Sequence, residues 1–309
     1  MWLIITRAVH FGACLLFFGI FVFDRFTASE IARPESQMND YWRTRLRQFS
    51  LVLWPIILVS GAAWFALVAM SMSGQPLQYD ILKIVWTQTQ FGTVWEIRCI
   101  FLLLAGIAIA LAWFLKSQVP FQKCAAWFLL AVNGCLLGSL AWAGHGQESS
   151  PWHLWADVLH LLVAGVWPAG LVPLLLLLRR VRSVAEPRDW LPIVGLVRRF
   201  SIISLAAVVL LVATGLVNSW YLVGHISNLF TQPYGRWLLA KIVLFGLSLQ
   251  IAAVNLLVLK PRLDFETSQK RHVDATVSLI RTNVRFEFFM GIAIVVIVAI
   301  LGILPPAIH

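Results

Sequence analysis

Eight apolar runs of about 20 residues each constrain the fold more than any other feature of this chain. A run of that length crosses a bilayer as an α-helix, since a helix pairs its own backbone groups where no water can. With 60% hydrophobic and 12% charged residues, the chain lacks the charged surface of a soluble protein. The sequence therefore predicts an all-α, polytopic membrane helical bundle forming one transmembrane domain over residues 1–309. We place its eight transmembrane helices at 3–23, 48–72, 96–115, 122–143, 152–178, 199–220, 235–259 and 286–304.

The basic residues predict how these helices are oriented. Most of the 24 lysines and arginines fall in the connections after the first, third, fifth and seventh helices. By the positive-inside rule those connections are cytoplasmic, so both termini are expected in the periplasm. The net charge of +10 then reflects orientation in a membrane, with lipid as the surroundings, and predicts no nucleic-acid partner.

Short similarities point to an internal repeat. The connections into the third and seventh helices both contain Thr-Gln, then Gly, then Trp. RAVHFGA in the first helix and DVLHLLV in the fifth align His10 with His160. Unless this match is chance, the chain consists of two parallel four-helix halves, 1–146 and 147–309, related by an axis along the membrane normal. His10 and His160 would then face each other at equal depth.

A polar stripe interrupts the fifth helix, in the run PWHLWADVLHLL. His153, Asp157 and His160 lie within about 60° of one another on a helix that turns by 100° per residue. Ionisable groups inside a span usually face a bundle interior, a partner or a pathway. One interpretation is purely structural, with Asp157 paired to Arg7 or Lys241. The other is a metal site, since imidazole and carboxylate are ligands for copper, zinc or iron.

The metal interpretation predicts two stations. His153 and His160 are about 10 Å apart along the axis, too far to share one ion comfortably. We expect an outer station at His153, with His145 from the preceding loop, and an inner station at His160 with His10.

Softer ligands lie on other helices of the predicted outer half. Cys14 is one turn from His10 on the same face and could add a thiolate, although packing alone would also explain it. Met70 and Met72 form a thioether pair of the kind that attracts Cu(I). These two motifs favour copper over iron.

Other functions remain to be weighed. The sequence has no GxxxxGK[ST] phosphate loop, so it encodes no ATP-driven pump of that class, and we expect a transfer protein rather than an enzyme. One alternative is a haem b-binding redox protein with His10 and His160 as axial ligands. Another is a membrane scaffold that helps to assemble copper-handling partners without transporting copper.

Several segments resemble the CopD copper-resistance family. They are the run AGHGQESSPWHLWADVLHLLVAGVWPAGLVPLLLLL, followed by TGLVNSWYLVG, PYGRWLLAKIVLF, AAVN and LGILPPA, while the surroundings of His10 are similar to the family's first helix. The resemblance implies an inner-membrane protein that takes copper from the periplasm and moves it towards the cytoplasm. It also implies a separate periplasmic copper-binding partner of the CopC type.

Overall fold

The structure is a computed structural model, and it describes residues 1–28, 37–115, 118–144, 150–180, 191–269 and 273–307. Those residues form helices and connections and contain no strand. The helices are α1 (Trp2–Phe26), α2 (Gln37–Ser73), α3 (Tyr79–Gln88), α4 (Gln90–Phe114), α5 (Val119–Gly138), α6 (Pro151–Arg180), α7 (Leu191–Val223), α8 (Asn228–Thr231), α9 (Pro233–Val254), α10 (Lys260–Ser268) and α11 (Asp274–Leu301). A 3₁₀ segment, Ser139–Ala143, follows α5, and a π-helical segment, Asn255–Leu259, joins α9 to α10.

Within the residues that the structure describes, eight helices are long and apolar enough to cross a membrane, which confirms the predicted all-α bundle and its eight spans. They are α1, α2, α4, α5, α6, α7, α9 with its continuation, and α11. Several helices extend beyond the predicted bounds: α2 begins at Gln37 rather than 48, and α11 at Asp274 rather than 286. These extensions are polar, so hydropathy marks only the part of each helix that lies in lipid.

The helices α3 and α8 are short and lie in the connections that enter α4 and α9. The same pattern, Thr-Gln followed by Gly, occurs in the sequence at both places. A methyl group on Gly92 or Gly235 would collide with carbonyl oxygens of the preceding short helix, so each glycine permits a close turn into the span.

Two central helices, α1 and α6, hold the bundle together. They pack against each other, and both also contact α5 and α11. At their crossing, a methyl group on Gly19 would lie 2.5 Å from the Gly165 carbonyl oxygen and 2.7 Å from Ala169 Cβ, so only glycine fits there. The two helices that carry the predicted histidines are therefore neighbours in the middle of the fold.

Candidate metal-transfer site

Three side chains of α6 each meet a side chain of α7. Both helices contribute at spacings of three and four residues, but in opposite order along the chain, because the two helices are antiparallel. The contacts run from the start of α6 into the span. The pairs are His153 with Tyr221, Asp157 with Asn218, and His160 with Thr214. We call these three pairs the polar ladder.

His160, at the inner end of the ladder, has a defined tautomer. Thr214 Oγ1 donates its single proton to the Leu210 carbonyl oxygen at 2.7 Å, so it must accept from His160 Nδ1 at 2.9 Å. The Nε2 atom of His160 therefore carries the lone pair, and no hydrogen bond to it is seen within the described ranges. A fixed imidazole with a free Nε2 is the arrangement found in metal-ligating histidines.

The carboxylate of Asp157, one helical turn before His160, lies beside a buried polar atom that has no hydrogen-bond partner in the described residues. Its Oδ1 accepts a hydrogen bond from Asn218 Nδ2 at 3.1 Å. The Oδ1 atom of Asn218 is buried and has no hydrogen-bond partner in the described part of the chain. Because buried polar atoms are normally paired, this orphaned oxygen indicates a place for a further ligand.

A half-buried lysine, Lys241 of α9, interacts electrostatically with both Asp157 and His160. However, within the described residues Lys241 and Asp157 form no direct ion pair. The hydroxyl-bearing Tyr234 of α9 is a further neighbour of Asp157. The site therefore holds one carboxylate and one internal cation, without direct contact between them.

His153 occupies the outer end of the ladder. It is only 1% exposed, and its ring stacks on Tyr221 with centroids 4.9 Å apart and an interplanar angle of 15°. Its backbone N–H donates to Ser150 Oγ, which caps the start of α6. His145, its predicted companion, lies outside the described residues.

His10 of α1 is built in the same way as His160. Ser60 Oγ of α2 donates to the Ile56 carbonyl oxygen at 2.6 Å and accepts from His10 Nδ1 at 3.0 Å. The lone pair of His10 is therefore also on Nε2. A glycine follows the hydroxyl residue in both cases: a methyl group on Gly61 would lie 3.1 Å from His10 Cε1, and one on Gly215 would lie 3.6 Å from His160 Cε1.

The two sites differ in what meets Nε2. At His10, the guanidinium of Arg98 donates to Nε2 through Nη2, and Cys14 Sγ lies 3.7 Å from the same nitrogen. Arg98 is fully buried and is held by the Leu136 carbonyl oxygen at 2.9 Å and by Ser139 Oγ at 2.6 Å. A cationic side chain thus contacts both predicted ligands, His10 and Cys14.

The surroundings of His10 are aromatic and positively charged. Its ring is 5.4 Å from that of Trp64 and 5.7 Å from that of Trp95. Arg7 lies over Trp64, with its guanidinium carbon 4.9 Å from the ring centroid. No carboxylate forms an ion pair with Arg7 or Arg98 in the described ranges, so this pocket repels a further cation.

The remaining predicted ligands lie apart from both histidine sites. Met70 and Met72 are at the C-terminal end of α2, where Met72 is 58% exposed. Met70 is about 15 Å along the helix axis from Ser60, the residue that contacts His10. No group of three or more His, Cys, Asp or Glu side chains among the described residues could hold one ion.

The structure thus groups the predicted ligands differently from the outer and inner stations that the sequence predicted. It joins His10 with Cys14, and it sets His153, Asp157 and His160 in one ladder. It shows no contact between His10 and His160 in the described chain, because each ring turns to its own neighbouring helix. The inner station that was expected to combine these two histidines is not assembled.

Sequence reasoning missed the residues that face the stripe. Thr214, Asn218 and Tyr221 of α7 repeat the spacing of the α6 stripe, and the segment TGLVNSWYLVG contains all three. This matching spacing could have suggested a second polar stripe, but only the packing of the helices shows that α7 is the one that faces α6. Arg98 gave no signal of a contact with His10 beyond its position inside an apolar span.

Comparison with protein families gives two matches. Residues 1–155 match the family described as copper resistance protein D-like, N-terminal domain, and residues 194–301 match copper resistance protein D. No solved structure matched the chain.

Three similar proteins come from different bacteria. Copper resistance protein D of Pseudomonas syringae pv. tomato is 29% identical, over 98% of this chain and 96% of its own length. Copper transport protein CutJ of Bacillus subtilis (strain 168) is 28% identical, over 75% of this chain and 40% of its own length. Inner membrane protein YebZ of Escherichia coli (strain K12) is 25% identical, over 98% of both chains.

These relatives are named for copper resistance, copper transport or the inner membrane, and none is named for a reaction. Eight apolar spans agree with them in indicating a multi-pass inner-membrane protein. One family match covers half of the chain, and the second covers most of the remainder. The chain belongs to the copper resistance protein D family of copper-related membrane proteins.

Proposed function

We propose that this chain binds copper as its cargo at the polar ladder and passes it from the periplasm towards the cytoplasm. The observation that carries the proposal is His160, whose Nδ1 is fixed by Thr214 while its Nε2 is free. Asp157 and the orphaned oxygen of Asn218 lie one turn above it. The His160 nitrogen and the oxygens of Asp157 and Asn218 therefore lie close enough along the helix to serve as ligands of one ion.

The ligand set suits transfer rather than storage. The ladder offers one imidazole and one carboxylate at its inner end, which is fewer ligands than a closed structural metal site uses. An incomplete ligand set allows an ion to enter and leave, as conduction requires. His153, stacked on Tyr221 at the outer end, is an imidazole that an ion moving along the ladder would meet before His160.

The positive charge of Lys241 compensates the negative charge of Asp157 before copper binds. Its ammonium offsets the Asp157 carboxylate, since an unpaired charge inside a span is costly. When a copper ion binds at Asp157, the two cations compete for one carboxylate. This competition keeps copper affinity low enough for release.

The direction of transfer follows from the orientation. The connections rich in lysine and arginine are assigned to the cytoplasm, which leaves the start of α6 and the end of α7 on the periplasmic side. A separate periplasmic copper-binding protein of the CopC type would deliver copper at His153. Met70 and Met72, at the same end of the bundle, could contribute a first thioether contact.

No observation favours the haem alternative. Axial ligation by His10 and His160 would need both Nε2 atoms on one iron, whereas His10 Nε2 accepts from Arg98. The scaffold alternative predicts that substitutions in the ladder leave copper binding unchanged, so it is tested by the same experiment as the main proposal.

The test is a Cu(I) competition titration with a colorimetric chelator on purified protein in nanodiscs. His160→Ala removes the fixed imidazole and should weaken Cu(I) binding by about tenfold or more, because even loss of a residue that only orients a ligand typically costs that much. His225→Ala, at an exposed histidine in the turn after α7, is the matched control and should bind like the wild type. Equal affinities for the two variants would refute the ladder as the copper site.

A further inference from the structure

A second polar cluster lies deeper in the same half of the bundle. Glu287 of α11 is only 2% exposed, and its Oε1 accepts from Asn255 Nδ2 at 2.8 Å. Asn255 Oδ1 in turn accepts from Asn283 Nδ2 at 2.8 Å, one turn before Glu287 on α11. The Asn255 amide therefore holds the carboxyl group and is itself held by Asn283, and no ion pair to Glu287 is seen in the described ranges.

The backbone at this cluster is irregular. Asn255 is the first residue of the π-helical segment Asn255–Leu259, which interrupts the regular helix between α9 and α10. Such bulges are rare in proteins as a whole, and many of those that occur lie at functional sites. Here the bulge sets the Asn255 side chain between two side chains of α11.

A cavity of about 140 Å³ adjoins the cluster. Glu287 and Asn255 line it together with Ser204, whose buried hydroxyl has no hydrogen-bond partner in the described part of the chain. The volume is enough for several water molecules, since one water needs roughly 10–15 Å³ and a few polar partners. The cavity also reaches Trp167 of α6, which is about 10 Å along the helix from His160.

The charges around Glu287 are few. Among the described residues that line the cavity from α6, α7, α9 and α11, Glu287 is the only ionisable side chain. On its own helix, Arg281 donates to the Leu178 carbonyl oxygen of α6, and Arg285 is exposed. The atoms of this cluster that could coordinate a metal ion are all oxygens, and oxygen ligands suit a hard cation better than Cu(I).

We propose that Glu287, held by Asn255 at the wall of this cavity, is a proton-binding site that exchanges its proton with cavity water. The carboxylate takes up one proton to become the neutral acid and returns it in the reverse step, with no change in oxidation state. A buried ionisable group inside a span is expected to serve such a role, because leaving it charged and unpaired is costly. Any coupling of this proton to copper movement rests on the function proposed above, whereas proton binding itself does not.

The test is infrared difference spectroscopy of the full chain in nanodiscs during a pH change. A carbonyl band of a protonated carboxylic acid should appear and disappear with pH, shift in D₂O, and be lost in Glu287→Gln. The band should persist in Glu96→Gln, at an exposed outer glutamate, and in Asp157→Asn. Asn255→Leu should keep the band but move its frequency, because the hydrogen bond to the carboxyl group is removed.

Two outcomes would overturn the proposal. One is a band that remains in Glu287→Gln, and the other is a band that responds to Na⁺ at constant pH, which would make the site a sodium site. Copper titration of the same variant separates this result from the proposed function. Glu287→Gln should bind Cu(I) at the ladder like the wild type, whatever the infrared result.

Discussion

At the scale of single residues, the two histidines are distinguished by the cations beside them. Both are fixed through Nδ1 by a hydroxyl group that is itself bonded to a helix carbonyl. His10 Nε2 is then occupied by Arg98, whereas no hydrogen bond to His160 Nε2 is seen in the described chain. The sequence predicted both histidines as candidates but could not separate them, because their neighbours come from other helices.

The hydroxyl of Thr214 should tune the copper affinity of His160. Thr214→Val keeps the shape of the side chain but removes the acceptor for Nδ1–H, so the imidazole loses its fixed orientation. Cu(I) affinity, measured by competition titration, should fall by about 10- to 100-fold. Ser60→Ala makes the same change at His10 and should leave that affinity unchanged. A wild-type affinity in Thr214→Val would show that Thr214 has no part in the site.

Arg98 should keep copper away from His10 and Cys14. Arg98→Met removes the cation that contacts His10 Nε2 and lies 3.9 Å from Cys14 Sγ. An imidazole and a thiol are then free to bind Cu(I), so the variant should bind an additional copper ion. Adding Cys14→Ser should abolish the gain, and Arg236→Met, at an exposed arginine, should not produce it. An unchanged copper content in Arg98→Met would contradict this role.

At the scale of helices, the sequence predicts the spans well and their partners poorly. Apolar run length determines where a helix lies in lipid, so all eight spans are confirmed. The start of α2 at Gln37 was missed because a helix can continue into water without an apolar run. The π-helical segment that begins at Asn255 was also missed, and so were the contacts of Asn255 with Asn283 and Glu287, which lie on another helix.

The crossing of α1 and α6 gives a prediction for stability. Gly19→Ala forces a methyl group against the Gly165 carbonyl oxygen and Ala169, and overpacking of this kind typically costs about 1–3 kcal/mol. The midpoint of thermal unfolding in detergent should therefore fall. Gly246→Ala, in α9 with no atom within 4 Å of the added methyl group, is the control. It should be neutral or slightly stabilising, and an equal loss in both variants would contradict tight packing at Gly19.

At the scale of the whole molecule, one arrangement of side chains occurs twice. In each predicted half, the first spanning helix carries a histidine bonded to a hydroxyl group of the second, and the third carries a cationic side chain that interacts with this histidine. We infer that the two predicted halves are repeats that have diverged in charge, with Asp157 in the second at the position that aligns with Arg7 in the first. On this inference, the half whose histidine lies beside Arg98 has a structural role, while the half with Asp157 handles copper.

The orientation of the bundle can be tested by labelling. In a variant whose Cys99, Cys124 and Cys135 are serine, a new cysteine at exposed Gln75 should react with a membrane-impermeant maleimide from the periplasmic side. A cysteine at exposed Ser268 should react only after the membrane is opened. The opposite pattern would reverse the orientation and, with it, the proposed direction of transfer.

The most direct test of the central claim is the copper and iron content of the purified protein after growth with added copper. The account predicts copper in the wild type, little iron, and most of the copper lost in an Asp157→Asn, His160→Ala double variant. The His225→Ala variant should retain it. Stoichiometric iron in the wild type, or copper that survives in the double variant, would contradict a copper site at the polar ladder.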